Sequence, residues 1–130
     1  MFKLFLPLLL ALLLWPVGSV LANDAEPRLV HVVLVWLNEP GNKDHRAQII
    51  TATRGFSSIP GVEEVSVGEP VPSQRSVVDD SFDIGLYITF SSKEALEAYL
   101  VHPRHKTVQR SILHPLAKKA VIYDFWDDGK

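Results

Sequence analysis

Tyr99-Leu100-Val101-His102-Pro103-Arg104-His105 gathers a phenol and two imidazoles within about two helical turns, with a proline between the imidazoles. A histidine titrates near neutrality and can take or give a proton at working pH. In this stretch His105 could abstract an acidic carbon-bound or hydroxyl proton, while Tyr99 donates its hydroxyl to the developing oxyanion. Asp124, near the chain's end, could hold the His105 ring and stabilise its charged form. His31 adds a second polar point. A structural reading competes with this one. His102-Pro103 would end one helix and start the next, with the rings bonding backbone groups orphaned at the break. His102 fits that role best, His31 fits a satisfied buried histidine, and Asp124 fits a structural hydrogen bond. His31, His102 and His105 could also offer imidazoles to a metal. However, no two lie at i, i+4 on one uninterrupted helix, and no carboxylate is fixed beside them in sequence, so no metal site is expected.

These side chains need elements to position them. Leu29 to Leu37 is β-branched and apolar on both faces, the pattern of a covered strand. One face carries Leu29, His31, Val33, Val35 and Leu37, and the other Val30, Val32, Leu34 and Trp36. After the Glu39-Pro40-Gly41 turn, Asn42 is a predicted N-cap for a helix to about Phe56. Pro60-Gly61 punctuates, and Val62 to Gly68 alternates as a second strand. Residues 69–81 form a long loop rich in Pro, Ser and charge, expected at the rim of a pocket. Phe82 to Phe90 alternates as a third strand, with Phe82, Ile84, Leu86, Ile88 and Phe90 on one face. Ser91 and Glu94 predict a capping box for a helix carrying Tyr99. Pro103 permits a fresh helical start, Val108, Ile112 and Leu116 continue an apolar stripe, and Val121 to Trp126 is a last strand.

The order β-α-β-β-α-β predicts an α+β, ferredoxin-like fold with a four-stranded antiparallel sheet and helices on one face. Val30, Val32, Leu34 and Trp36 would then lie on an open sheet face, and an exposed apolar face marks an interface. A second copy packed face to face would bury it and form an α/β barrel.

Composition narrows the partners. With 13 Lys and Arg against 15 Asp and Glu, the chain is mildly acidic, which argues against nucleic acid and anionic membranes. There is no cysteine, which excludes disulfides and thiolate chemistry. Residues 1–22 read as a secretory signal peptide: a basic start, an apolar run from Leu4 to Leu14, then Val20-Leu21-Ala22 as a small-residue cleavage pattern. The expected organisation is signal peptide 1–22, lead-in 23–28, domain 29–126 and polar tail 127–130. The expected location is periplasmic or secreted, with no membrane attachment after cleavage.

Several of these residues together resemble the stress-responsive dimeric α/β-barrel (Dabb) domain. They are His31, Ile59-Pro60-Gly61-Val62, Phe82-Asp83-Ile84-Gly85-Leu86, Phe90, Ala98-Tyr99, His102-Pro103-Arg104-His105-Lys106 and Tyr123-Asp124-Phe125. The resemblance spans about residues 29 to 126 and implies the ferredoxin-like fold and a homodimeric barrel. A plant cyclase of this family closes a polyketide chain by an aldol condensation without a cofactor. The resemblance places its catalytic tyrosine and histidine at Tyr99 and His105. The function it implies is a pocket between sheet and helices, lined by His31, Val33, Ile84, Leu86 and Ile122, that binds a small, largely apolar molecule. The chemistry would be cofactor-free and acid–base, cyclase- or lyase-like, with His105, Tyr99 and Asp124 as catalytic groups. The alternatives are a non-catalytic, stress-related binding dimer and a metal- or haem-linked oxygenase of the same dimeric architecture.

Overall fold

The computed structural model describes residues 26–129; the expected signal peptide, residues 23–25 of the expected lead-in and Lys130 of the expected tail lie outside them. Four strands make one antiparallel sheet: β1 (Arg28–Leu37), β2 (Val62–Gly68), β3 (Ile84–Phe90) and β4 (Ala117–Asp127), in the order β2-β3-β1-β4. The helices are α1 (Lys43–Arg54), α2 (Lys93–Val101) and α3 (Pro103–Val108). This is the predicted ferredoxin-like α+β arrangement. Among the described residues no helix is long and apolar enough to cross a membrane.

The core lies between the sheet and the helices. Strand β1 contributes Leu29, Val33, Val35 and Leu37; β3 contributes Ile84, Leu86, Ile88 and Phe90. Ile49, Phe56, Leu96 and Tyr99 close over them from the helical side. Asn42 caps α1 as expected, its side chain accepting from the His45 N–H at 3.0 Å. The helix stops at Arg54, and a 3-10 turn over Gly55–Ser58 inserts Phe56 into the core. Gly61 then sits at φ +87°, and a Cβ there would lie 2.9 Å from the Ala95 Cβ. Both the turn and the close approach of α2 therefore require glycine.

Three expectations shift. The cap of α2 is Ser92, whose hydroxyl accepts from the Ala95 N–H at 3.1 Å, so the Ser91–Glu94 box does not form. Strand β4 begins at Ala117 rather than Val121, because it pairs with β1 along the whole length of that strand. Strand β3 begins at Ile84, and Phe82 does not share the face of Ile84. Phe82 packs edge-on against Trp36 on the open side, with ring centroids 6.4 Å apart. The cause is Asp83. Its buried carboxylate accepts from the Leu37 and Gly41 N–H groups at 2.9 and 2.7 Å and from Arg46 at 2.9 Å. Those bonds turn the chain toward the start of α1 and interrupt the alternation.

On the open sheet face Val30 is already buried, while Val32, Leu34 and Trp36 are half-buried rather than fully in water. Trp36 is covered locally by the Lys119 ammonium, 4.5 Å from its ring centroid, and donates to the Ser81 hydroxyl at 3.0 Å. That bond ties the end of loop 69–81 to the open face, and no residue of the loop lines either cavity beside the candidate site. Tyr123 and Phe125, on the same face of β4, are more than half exposed.

Candidate functional site

Helix α2 ends where Pro103 forces it to. Proline disfavours the helical conformation in the residue before it, and His102 adopts φ −63°, ψ 137°. Pro103 then opens α3, where its missing N–H costs nothing. His102 caps the new helix: its Nδ1 accepts from the Arg104 N–H at 3.1 Å. The bent junction turns Tyr99, near the end of α2, and His105, in the first turn of α3, toward the sheet.

There the two rings lie 4.3 Å apart, centroid to centroid, at 44°. Tyr99 is 1% exposed and His105 7%. Phe56 packs 5.5 Å from Tyr99 and 5.6 Å from His105, and Phe90 lies 5.2 Å from Tyr99. His31 closes the cluster from β1, its ring 5.9 Å from Tyr99. Asp124 faces His31 directly across the β1–β4 pairing, and its carboxylate accepts from the His31 Nδ1 at 2.6 Å. The structure thus couples Asp124 to His31, whereas the sequence suggested an interaction with His105.

His105 is held by the backbone instead. Its Nδ1 lies 3.1 Å from the Leu100 carbonyl oxygen. A carbonyl only accepts, so this bond places the proton on Nδ1 and leaves the Nε2 lone pair free. Burial pushes the imidazole below its usual range, and His31 and His102 add to the effect, while the Leu100 bond opposes it. Burial also pushes the Tyr99 phenol far above its ordinary value. A neutral base therefore lies beside a neutral proton donor.

Two cavities flank this cluster. One, of about 340 Å³, opens between β1, β4 and the segment after α3; Val33 and Val35 form its floor, and Gln109, Leu113 and Lys118 are among its walls. The other, of about 360 Å³, is lined by Leu29, Lys93, Leu96, Asp124, Phe125 and Trp126. Tyr99 and His105 lie in neither wall. Both cavities adjoin the cluster nonetheless: Val33 is two residues along the His31 face of β1, Gln109 is one helical turn beyond His105, and Asp124 is the partner of His31. Of the other expected lining residues, Ile84 and Leu86 are buried in the core. Ile122 faces Val33 across the sheet and is half exposed, in neither wall. Gln109 and Lys118 were not anticipated; the one available signal was the four-residue step from His105 to Gln109. Among the described residues no group of three His, Asp or Glu is arranged to hold a metal ion.

Residues 29–127 match the model of the stress-responsive A/B barrel (Dabb) domain. The chain belongs to the Dabb family. Similar solved structures agree on the fold of this Dabb domain. A Dabb family protein from Mesorhizobium loti with a ferredoxin-like fold has a TM-score of 0.63 at 19% identity, over 76% of this chain and 95% of its own. A dimeric ferredoxin-like protein of unknown function from Thermobifida fusca has a TM-score of 0.62 at 21% identity, over 76% and 90%. The hydroxynitrile lyase from Passiflora edulis has a TM-score of 0.68 at 17% identity, over 79% and 95%. No curated protein sequence matches the chain.

Proposed function

We propose that this Dabb protein binds a small, largely apolar carbonyl compound and carries out cofactor-free acid–base chemistry on it. The observation that carries this reading is the buried Tyr99–His105 pair, a phenol and an imidazole in ring contact at 4.3 Å. The His105 Nε2 takes a proton from the carbon next to the carbonyl, and the electron pair of that C–H bond moves onto the carbonyl oxygen. The Tyr99 hydroxyl hydrogen-bonds the resulting enolate oxygen. The carbanion equivalent then adds to an acceptor or expels a leaving group, and His105 returns the proton. His31, fixed by Asp124, lies beside the Tyr99 ring and orients the substrate's polar end. A structurally similar protein is a hydroxynitrile lyase, so the fold accommodates lyase chemistry. The protein acts as a homodimer, as similar structures are described, joined through the open sheet face. It acts after export directed by residues 1–22.

The test is hydrogen–deuterium exchange next to the carbonyl in a panel of small aryl and alkyl ketones, followed by NMR in D₂O. Wild-type protein should accelerate exchange, and Tyr99→Phe and His105→Ala should each slow it by about 10²-fold. Thermal unfolding of Tyr99→Phe should stay close to wild type, since the ring packing is retained. The lowered His105 value implies activity that is level from neutral pH upward and falls only in acid, below the ordinary histidine range. Exchange at the background rate with every ketone, or full activity in both variants, would return the pair to a packing role.

A further inference from the structure

We propose that the cavity floored by Val33 and Val35 takes a small amphipathic carboxylate, with its apolar part on β1 and its anionic head held by Lys118. The proposal takes this cavity, which adjoins the Tyr99–His105 cluster, as the ligand site of the function proposed above, and names the ligand's chemistry. Two local irregularities meet across the space. On the sheet side the β1–β4 register shifts between Trp36 and Leu37: Trp36 pairs with Lys119 and Leu37 with Ala117, leaving Lys118 as the extra residue. Such a bulge re-aims its side chain and recurs beside functional sites. Lys118 and Lys119 both line the cavity, but the Lys119 ammonium is drawn over the Trp36 ring at 4.5 Å, which leaves the Lys118 ammonium to the cavity mouth. On the opposite side the chain forms a π-helical turn over Gln109–Leu113. Pro115 has no N–H to donate to the helix, and the His114 N–H reaches back five residues to the Gln109 carbonyl. π-Turns are likewise frequent at functional sites. This turn brings the Gln109 amide and the His114 ring to the same walls as Lys118.

The charge at this mouth is unbalanced. No carboxylate lines the cavity, and the ion pairs formed among the described residues engage Arg28, His31, Arg46 and Lys93 rather than Lys118. With the Lys119 ammonium over Trp36, the Lys118 ammonium beside Gln109 complements a singly charged acceptor group, as a carboxylate is. Val33, Val35, Leu113, Ala117 and Ala120 form an apolar side to the wall, and at about 340 Å³ the space is near the lower end of the ~300–1,000 Å³ usual for small-molecule sites. The ligand is therefore a short-chain or single-ring acid.

Binding of octanoate and octanol to the purified protein, followed by NMR chemical shifts, tests this. Octanoate should bind about tenfold more tightly than octanol, a difference of about 1.4 kcal/mol. Lys118→Gln should erase that preference while leaving octanol affinity unchanged, and Lys118→Arg should keep most of it. Ala120→Phe, which fills the cavity, should weaken both ligands. Equal binding of the two ligands, both lost in Ala120→Phe, would overturn the carboxylate and leave the cavity as an apolar site. Octanoate preference that survives Lys118→Gln would also overturn it. If neither ligand binds, or if Ala120→Phe has no effect, both this proposal and the cavity reading fail, independently of the exchange activity of Tyr99 and His105.

Discussion

Burial gives Tyr99 and His105 their chemistry: the same pair on a wet surface would titrate normally and share its hydrogen bonds with water. Asp83 shows the opposite use of burial. Burial alone would raise its carboxyl, yet the Leu37 and Gly41 N–H groups and the Arg46 guanidinium outweigh that and hold it below the usual carboxylate range. Asparagine keeps one acceptor oxygen but removes the charge and the second acceptor, so the Arg46 cation loses its counter-charge and one of the Leu37 and Gly41 N–H groups faces an amide NH₂. Asp83→Asn should therefore cost about 3 kcal/mol at pH 7, the scale of a broken buried pair. The sign of the pH dependence follows from the lowered value. This contribution is fully present above the unfolded value of about 3.9 and is lost as pH falls through the lower folded value. Urea unfolding of wild type and Asp83→Asn should show a gap at pH 7 that narrows toward pH 2. A gap that stays constant with pH would show that the loss is not one of charge.

At the scale of elements, the break between α2 and α3 positions the site. A continuous helix would carry residues six apart round by 600°, or 240° on its surface, and so could not hold Tyr99 and His105 in ring contact. Pro103 creates the bend and His102 makes it stable by capping α3. His102→Ala should lose about 1 kcal/mol of stability by thermal or urea unfolding, and His102→Asn, whose side chain is a better cap, should regain most of it. Equal losses in both variants would remove the capping role. The structural role considered for His102 in the sequence is thus the one it holds, while the β4 bulge at Lys118 and the π-turn after α3 were not legible. Alternation and helical periodicity report which face a residue is on, not where one residue too many is inserted.

For the whole molecule, the exposed Tyr123 and Phe125, with the half-buried Val32, Leu34 and Trp36, leave one sheet face unfinished. Large contiguous apolar patches are rare on monomers. Val32→Asp should convert a dimer to monomer or aggregate, measured by light scattering. Val32 is the better probe because Trp36 also bonds Ser81 and packs on Phe82, so its loss would disturb the protomer as well. An unchanged dimer mass in Val32→Asp would place the interface elsewhere.

The β-α-β-β-α-β order was determined by sequence alone, because the spacing of apolar residues follows directly from strand and helix geometry. So were the Asn42 cap, the Pro60-Gly61 turn and the grouping of Tyr99 with His105, each a matter of local chemistry. The partner of Asp124 was decided only by tertiary structure. Pairing β4 with β1 in one particular register sets Asp124 opposite His31, and a one-residue slip would have turned it to the other face. The same holds for the role of Asp83. Its acceptors' partners, Leu37, Gly41 and Arg46, lie about forty residues away along the chain and meet it only when β1, β3 and α1 have packed. Long-range hydrogen bonds leave no periodic trace in a sequence, because their geometry belongs to the packing of elements and not to any one of them.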